Sequence, residues 1–290
     1  MLNWPRLRPK VLCFDGVGTF LVHGLSPSLE AAIRLGCLFG VLAAMVAWEQ
    51  LAPRRPWSLP KPMRWTSNLG LMALNTVVAR LAIPLSAVGL AAIGTERGWG
   101  LLNLVAWPDW LEFLLGVSLL DFAIYIQHVL FHAVPAFWRL HRVHHADLDF
   151  DVTTGGRFHT LEILLSAGIK LAVILALGPS AWAVLTFEVL LNATSMFNHS
   201  NVRMPGWLDR VLRWVVVTPD MHRVHHSVIR NETNSNYGFN LPWWDRLLGT
   251  YRPQPQEGHE QMTIGLEEPR EERVCDRLLG MLWLPFRQES

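Results

Sequence analysis

Residues 161–199 read LEILLSAGIKLAVILALGPSAWAVLTFEVLLNATSMFNH, and the division of this run decides the fold. Before the closing His199 it carries only three charges, Glu162, Lys170 and Glu188. As a single helix, residues 161–198 would extend about 57 Å, nearly twice the roughly 30 Å hydrocarbon thickness of a bilayer. Gly178-Pro179 stands in the middle, and this pair breaks helices. The run therefore predicts a helical hairpin that crosses or dips into a membrane twice and returns His199 to the side on which it began.

The flanking sequence supports a membrane setting. Hydrophobic residues make up 51% of the 290 residues and charged residues only 17%, against about 25% charged in soluble domains. Residues 69–93 hold one charge, Arg80. Residues 29–48, with Glu30 and Arg34, and 110–131, with Glu112, Asp121 and His128, are further candidate spans. The run 11–22 is too short to span and lacks a small-residue cleavage site, so no signal peptide is expected. Loop 52–65 carries Arg54, Arg55, Lys61 and Arg64, whereas loop 94–109 has Arg97 alone among its cations. The positive-inside rule then puts 52–65, 132–160 and 199–290 in the cytoplasm. Arg6, Arg8 and Lys10 fit this alternation poorly. Cys13, Cys37 and Cys275 form no CxxC and no disulfide framework. A net charge of +1 gives no reason to expect a nucleic-acid partner.

On that one side the histidines gather. HRVHH occurs at 141–145 and again at 222–226, with unrelated flanks, and the two copies hold six of the chain's twelve histidines. Such identity, confined to the pentapeptide, indicates a chemical requirement met twice rather than a structural repeat. HVLFH adds His128 and His132, which share a helical face at i and i+4. His141 likewise faces the same way as His144 and His145, while those two adjacent rings diverge by about 100° and can serve two points. With His199 the set is His128, His132, His141, His144, His145, His199, His222, His225 and His226. Nine imidazoles exceed the needs of one ion and suit two ions with four or five protein ligands each. Without a metal, so many buried imidazoles would leave polar atoms unpaired at about 1–3 kcal/mol each. Isolated His23 and His259 read as structural, and His159 as a tenth ligand or a supporting donor. Imidazole accommodates zinc, copper, iron and nickel, so the ligands alone leave the metal open. Neither the Glu-x-x-His pattern of carboxylate-bridged diiron bundles nor HExxH is present.

The ordered set H-x-x-x-H, H-x-x-H-H, H-x-x-H-H between apolar helices resembles the fatty acid hydroxylase/sterol desaturase superfamily. The resemblance runs from about residue 110 to 252 and takes in TPDMHRVHHS and NSNYGFNLPWWDRLLGTY, which look like the family's bacterial sterol desaturase branch. It implies a membrane non-haem diiron oxidoreductase that uses O2 and two electrons to hydroxylate or desaturate a lipid C–H bond. It implies iron ligation by His128, His132, His141, His144, His145, His222, His225 and His226, with His199 as the isolated further ligand. Some relatives have a histidine four residues before that position, where this chain has Ser195. A bacterial inner membrane is likewise implied by the resemblance.

Several acidic residues are candidates to orient the rings. Asp121 precedes His128 by seven residues within an apolar segment, and an intramembrane carboxylate is a functional candidate. Glu188 and Asn192 precede His199 on one helical face, and Asp220 precedes the second HRVHH. Asp147, Asp149 and Asp151 follow the first copy; of these three and Asp220, at least two are expected in a solvated loop. Trp107, Trp110, Phe113, Phe122, Tyr125 and Phe131 either line a substrate path or face lipid, and Trp243, Trp244 and Tyr251 either roof the site or rest at the membrane surface.

The expected architecture is all-α: an integral membrane helical bundle with a cytoplasmic histidine-rich cap that holds two metal ions. Residues 1–106 are read as N-terminal membrane helices, 107–252 as the catalytic domain, and 253–290 as a polar tail closed by an interfacial segment at 277–286. The chain shows no haem-binding or ferredoxin-like domain, so electrons are expected from a separate ferredoxin- or cytochrome b5-like carrier with its reductase. The rivals are a dizinc or dimanganese membrane hydrolase and a metal transporter. Histidines clustered at the membrane edge, rather than spread through the spans, disfavour the transporter.

Overall fold

The computed structural model describes residues 25–287. The basic N-terminus and the run 11–22 lie outside the described residues. Among the described residues there is no strand, only isolated bridges at Pro53–Val202 and Ser227–Ile264.

Long helices start and stop where their caps dictate. Ser26 accepts from Leu29 N and, with Pro27 in the first turn, opens α1, Pro27–Leu51. α2, Lys61–Ala82, ends at an extended Ile83 ahead of Pro84, and α3, Ala87–Arg97, restarts under the Ser86 cap. The 69–93 run is thus not one helix. Proline lacks the N–H that would continue α2 and pushes the residue before it out of the helical region. α4 is Asp109–Ala133, and α5, Pro135–His145, starts afresh with Pro135 in its first turn. The hairpin is α6, Thr160–Leu177, and α7, Ala181–Asn198. Gly178 at φ +66° closes α6 and Ser180 caps α7.

Among the described residues, four segments are long and apolar enough to cross a membrane: Pro27–Leu51, Lys61–Leu104 taken across its break, Asp109–Ala133 and Thr160–Leu177. α7 packs against α1, α3 and α4. Helix direction alternates. At one end Glu112 Oε1 accepts from Ser180 N, and Asn103 Nδ2 donates to Gly178 O. At the other end Glu49 Oε1 accepts from Val152 N and Asn201 N, and Arg64 meets Asp147. All loops that carry histidine motifs reach this second end, as the hairpin requires.

There the chain forms a cap from short helices: α8 (Gly206–Leu212), α9 (Pro219–His225), α10 (Arg230–Thr233), α11 (Trp243–Leu248), α12 (Gly258–Gln261), α13 (Glu272–Cys275) and α14 (Leu278–Trp283). The stretch read as a polar tail is built into this cap. Met262 and Ile264 pack on Phe150, and Val274, Cys275, Met281 and Leu284 join Leu71 and Val143 in a core. Sparse apolar residues at the right positions were enough to bury it. Segment 277–286 is two-faced, with Met281 buried while Leu279 and Trp283 are exposed.

The basic loop is also absorbed. Arg64 is fully buried, with Nε and Nη2 on Asp147 and Nη1 on Asp151. Arg54 pairs with Asp220 and Glu260, and Arg55 donates to the carbonyls of His259 and Met262.

Candidate metal centre

α4, α5, α9 and the C-terminal end of α7 aim nine imidazoles into one volume. They divide into His128, His132, His141, His145 and His225, and His144, His199, His222 and His226. Within each group the available ring nitrogens lie within 4.8 Å of one another.

Helical periodicity explains the division. In the first HRVHH, His141 and His145 lie one turn apart and enter the first group, while His144 diverges into the second. The second copy does the reverse: His222 and His226 enter the second group and His225 the first. Each pentapeptide thus gives two rings to one group and one to the other. α4 completes the first group with His128 and His132, and α7 completes the second with His199 alone. The position that would offer a fifth ring there is Ser195, whose Oγ donates to Gly155 O instead.

The rings are held from behind. His128 Nδ1 donates to Tyr237 O, His199 Nδ1 to Ser195 O and His225 Nδ1 to Ser235 O, each at 2.7 Å. His141 Nδ1 donates to Glu162 Oε1 at 2.6 Å, and His132 Nδ1 lies 3.3 Å from Asn234 Oδ1. Aromatic rings wall the site: Phe158 stacks on His144 at 4.3 Å, Phe239 is 5.0 Å from His128 and Tyr237 5.2 Å from His132.

These bonds test whether cations fit. A carbonyl only accepts, so Nδ1 of His128 and of His225 carries the proton, and each neutral ring presents a bare lone pair at Nε2. Those two Nε2 atoms stand 3.0 Å apart. His199, fixed the same way, presents Nε2 to His144 at 3.1 Å and to His222 at 3.0 Å. Lone pairs converging at this distance repel unless a positive charge lies among them. Protonation is opposed, because burial pushes His141 down to about 3 and His199 down to about 4. Burial, then neighbouring imidazoles, hold His144, His145, His222, His225 and His226 well below the usual range. Neutral nitrogen donors without protons, crowded and dry, fit metal ions.

His159 stays out of the cluster. It caps α6, with Nδ1 accepting from Leu161 N and Nε2 3.3 Å from Leu282 O, so both nitrogens are engaged. The four residues expected to orient the rings contact none of them. Asp121 accepts from Trp244 Nε1 and Leu241 N. Glu188 pairs with Lys170 and Arg34, and Asn192 bonds the Glu188 carbonyl. Asp220 pairs with Arg223 and Arg54. Asp121, Asn192 and Glu188 lie seven or eleven residues before their histidine, two or three turns and about 10–16 Å along the axis, beyond a short side chain's reach to the ring. Of Asp147, Asp149, Asp151 and Asp220, at least two of them expected in a solvated loop, only Asp220 is part-exposed: Asp147 and Asp151 grip Arg64, and Asp149 accepts from the amides of Ser58 and Leu59. Glu162 was missed, although it is an intramembrane carboxylate of the kind that singled out Asp121. The carbonyls of Ser195, Ser235 and Tyr237 leave no mark in a sequence. Of the aromatics, Tyr125 and Phe131 are buried, whereas Trp107 and Trp110 lie on the bundle's exterior. Trp244 bonds Asp121, and Trp243 donates to Trp214 O.

The fatty acid hydroxylase family model matches residues 113–250, which contain all nine rings. Over these residues the chain is similar to the fatty acid hydroxylase family, part of the fatty acid hydroxylase/sterol desaturase superfamily to which the relatives belong. Among the similar members of this superfamily is an ornithine lipid hydroxylase of Rhizobium tropici, 34% identical over 63% of this chain and 53% of its own length. An alkylglycerol monooxygenase of Homo sapiens is 32% identical over 55% of this chain and 33% of the relative. A very-long-chain aldehyde decarbonylase of Oryza sativa subsp. japonica is 24% identical over 51% of this chain and 25% of the relative. The chain spans about half the length of the first of these relatives and about a third of the second. No solved structure matches it.

Proposed function

We propose that the protein is a membrane non-haem diiron oxidoreductase that uses O2 and two electrons to hydroxylate or desaturate a lipid C–H bond. The observation that carries this reading is the convergence of unprotonated Nε2 atoms in two adjacent groups, held by backbone carbonyls and Glu162. Iron bound there supplies the O2-dependent redox chemistry that acid/base side chains cannot perform on an alkyl C–H bond. His128, His132, His141, His145 and His225 would hold one ion, and His144, His199, His222 and His226 the other. The first group offers five rings and the second four. Tyr237, Phe239, Phe158 and Phe150 keep water from the rings. Hydroxylation balances as substrate, O2, two electrons and two protons giving alcohol and water. A separate ferredoxin- or cytochrome b5-like carrier with its reductase delivers the electrons. The cap faces the cytoplasm of a bacterial inner membrane, and residues 107–252 carry the catalytic core.

The test is reductant-dependent O2 uptake by the purified protein in lipid vesicles, followed by mass spectrometry of the lipids. A gain of one oxygen or a loss of two hydrogens in a lipid is expected. No O2 uptake with any reductant, together with zinc in the protein, favours the hydrolase.

A further inference from the structure

The cap carries an apolar face that the metal centre does not use. α8 with the turn after it exposes Trp207, Val211, Trp214 and Val215, and α11 exposes Trp243 and Leu247; Trp214 is 61% and Leu247 73% exposed. The two elements form one unit. Trp243 Nε1 donates to Trp214 O at 2.6 Å, and Arg246 Nη2 donates to Arg213 O at 3.1 Å.

We propose that this face is embedded in the acyl region of the cap-side leaflet, so that α8 and α11 form an in-plane platform beside the metal centre. The inference rests on the membrane reading above. Depth is the first argument. Trp244 Nε1 donates at 2.7 Å to Asp121 of α4, and the Trp244 and Phe122 rings lie 4.8 Å apart. Asp121 precedes His128 by seven residues, about 10 Å down the helix toward the opposite end. α11 is therefore anchored to the flank of a membrane-crossing helix, below the level of the histidines, and its apolar face continues that helix's lipid-facing surface.

Charge is the second argument. The platform's carboxylates turn inward: Asp245 accepts from the amides of Tyr237 and Gly238, and Asp209 from Thr218 Oγ1. Of its cations, Arg213 is buried and paired with Asp209. Arg210 is exposed, and the Arg246 guanidinium lies 4.1 Å from the Trp214 ring and 4.0 Å from the Tyr251 ring. Tryptophans with arginines at their rim suit the boundary between acyl chains and phosphate headgroups. A water-borne protein partner would have to displace lipid to reach the face.

Photocrosslinking distinguishes the occupants. p-Benzoylphenylalanine is placed at position 214 or 247 in protein reconstituted into phosphatidylethanolamine/phosphatidylglycerol vesicles. Position 39, whose Phe39 is 62% exposed on α1, serves as the span control, and exposed position 257 as the aqueous control. After irradiation, intact-mass spectra should show phospholipid adducts at 214 and 247 with yields near that at 39 and several-fold above that at 257. Lipid adducts at 39, with 214 and 247 no better than 257 or joined to a second protein chain, would overturn the platform alone. Failure at 39 as well would remove the membrane reading and the platform with it.

Discussion

His128 and His225 state the problem at the scale of single residues. Each donates Nδ1–H to a carbonyl, and their Nε2 lone pairs stand 3.0 Å apart. Glu162 plays the carbonyl's part for His141. Glu162→Ala should weaken metal retention about 10- to 100-fold, the usual cost of removing a ligand's supporting partner. Glu162→Gln keeps an acceptor oxygen for Nδ1–H and should retain more metal than the alanine variant. Competition with a calibrated chelator measures both; equal affinity in all three proteins would show that Glu162 does not orient the ring. The nine rings were legible because their spacing repeats. Glu162 was not, because it and His141 are 21 residues apart on different helices, and nothing local marks the pairing. Asp121, Glu188, Asn192 and Asp220 misled for the converse reason: proximity along a helix said nothing about what each side chain reaches.

At the scale of elements, glycine and ionic contacts fix how the helices meet. A Cβ on Gly178 would lie 2.1 Å from Trp99 O and 2.4 Å from Asn103 Nδ2, and its φ is +66°. Gly98 has a similar φ of +68° with open space around it. Gly98→Ala should therefore cost only the left-handed strain, about 1–2 kcal/mol. Gly178→Ala adds a backbone collision and should lower the thermal midpoint in detergent much further; equal midpoints would refute the close packing of the two turns. Glu188 ties three helices by pairing with Lys170 of α6 and Arg34 of α1. Glu188→Gln should destabilise by up to about 3 kcal/mol by stranding Lys170, and adding Lys170→Met should recover part of that. Thermal melts of the single and double variants check the sign. The hairpin was legible from Gly178-Pro179. The break at Pro84 was not, because the apolar run around it read as one uninterrupted span.

For the whole molecule, the cap is a set of loops drawn from five helix ends and closed by 253–287. Composition marked that last stretch as polar, and only its packing shows Met262, Ile264 and Leu284 completing cores. Sequence thus located the bundle, its hairpin and the gathering of the motifs at one end, but not the arginine–aspartate network or the closing segment. The cap's stability should depend on pH with a definite sign. In the fold His141 titrates at about 3 and His199 at about 4, both lowered by burial, against about 6.5 in an unfolded chain. Between those values the unfolded chain binds more protons, so stability rises with pH across the window and levels off near neutrality. The thermal midpoint of chelator-treated protein should climb from pH 4 to pH 7; a flat or falling profile would contradict burial of neutral rings. The most direct test of the account is the metal content of protein purified without oxygen, read by elemental analysis and by Mössbauer spectra of 57Fe-grown samples. Two irons per chain are predicted, falling to one or fewer in His144→Ala; folded wild-type protein with no iron, or with fewer than one ion of any transition metal, would contradict it.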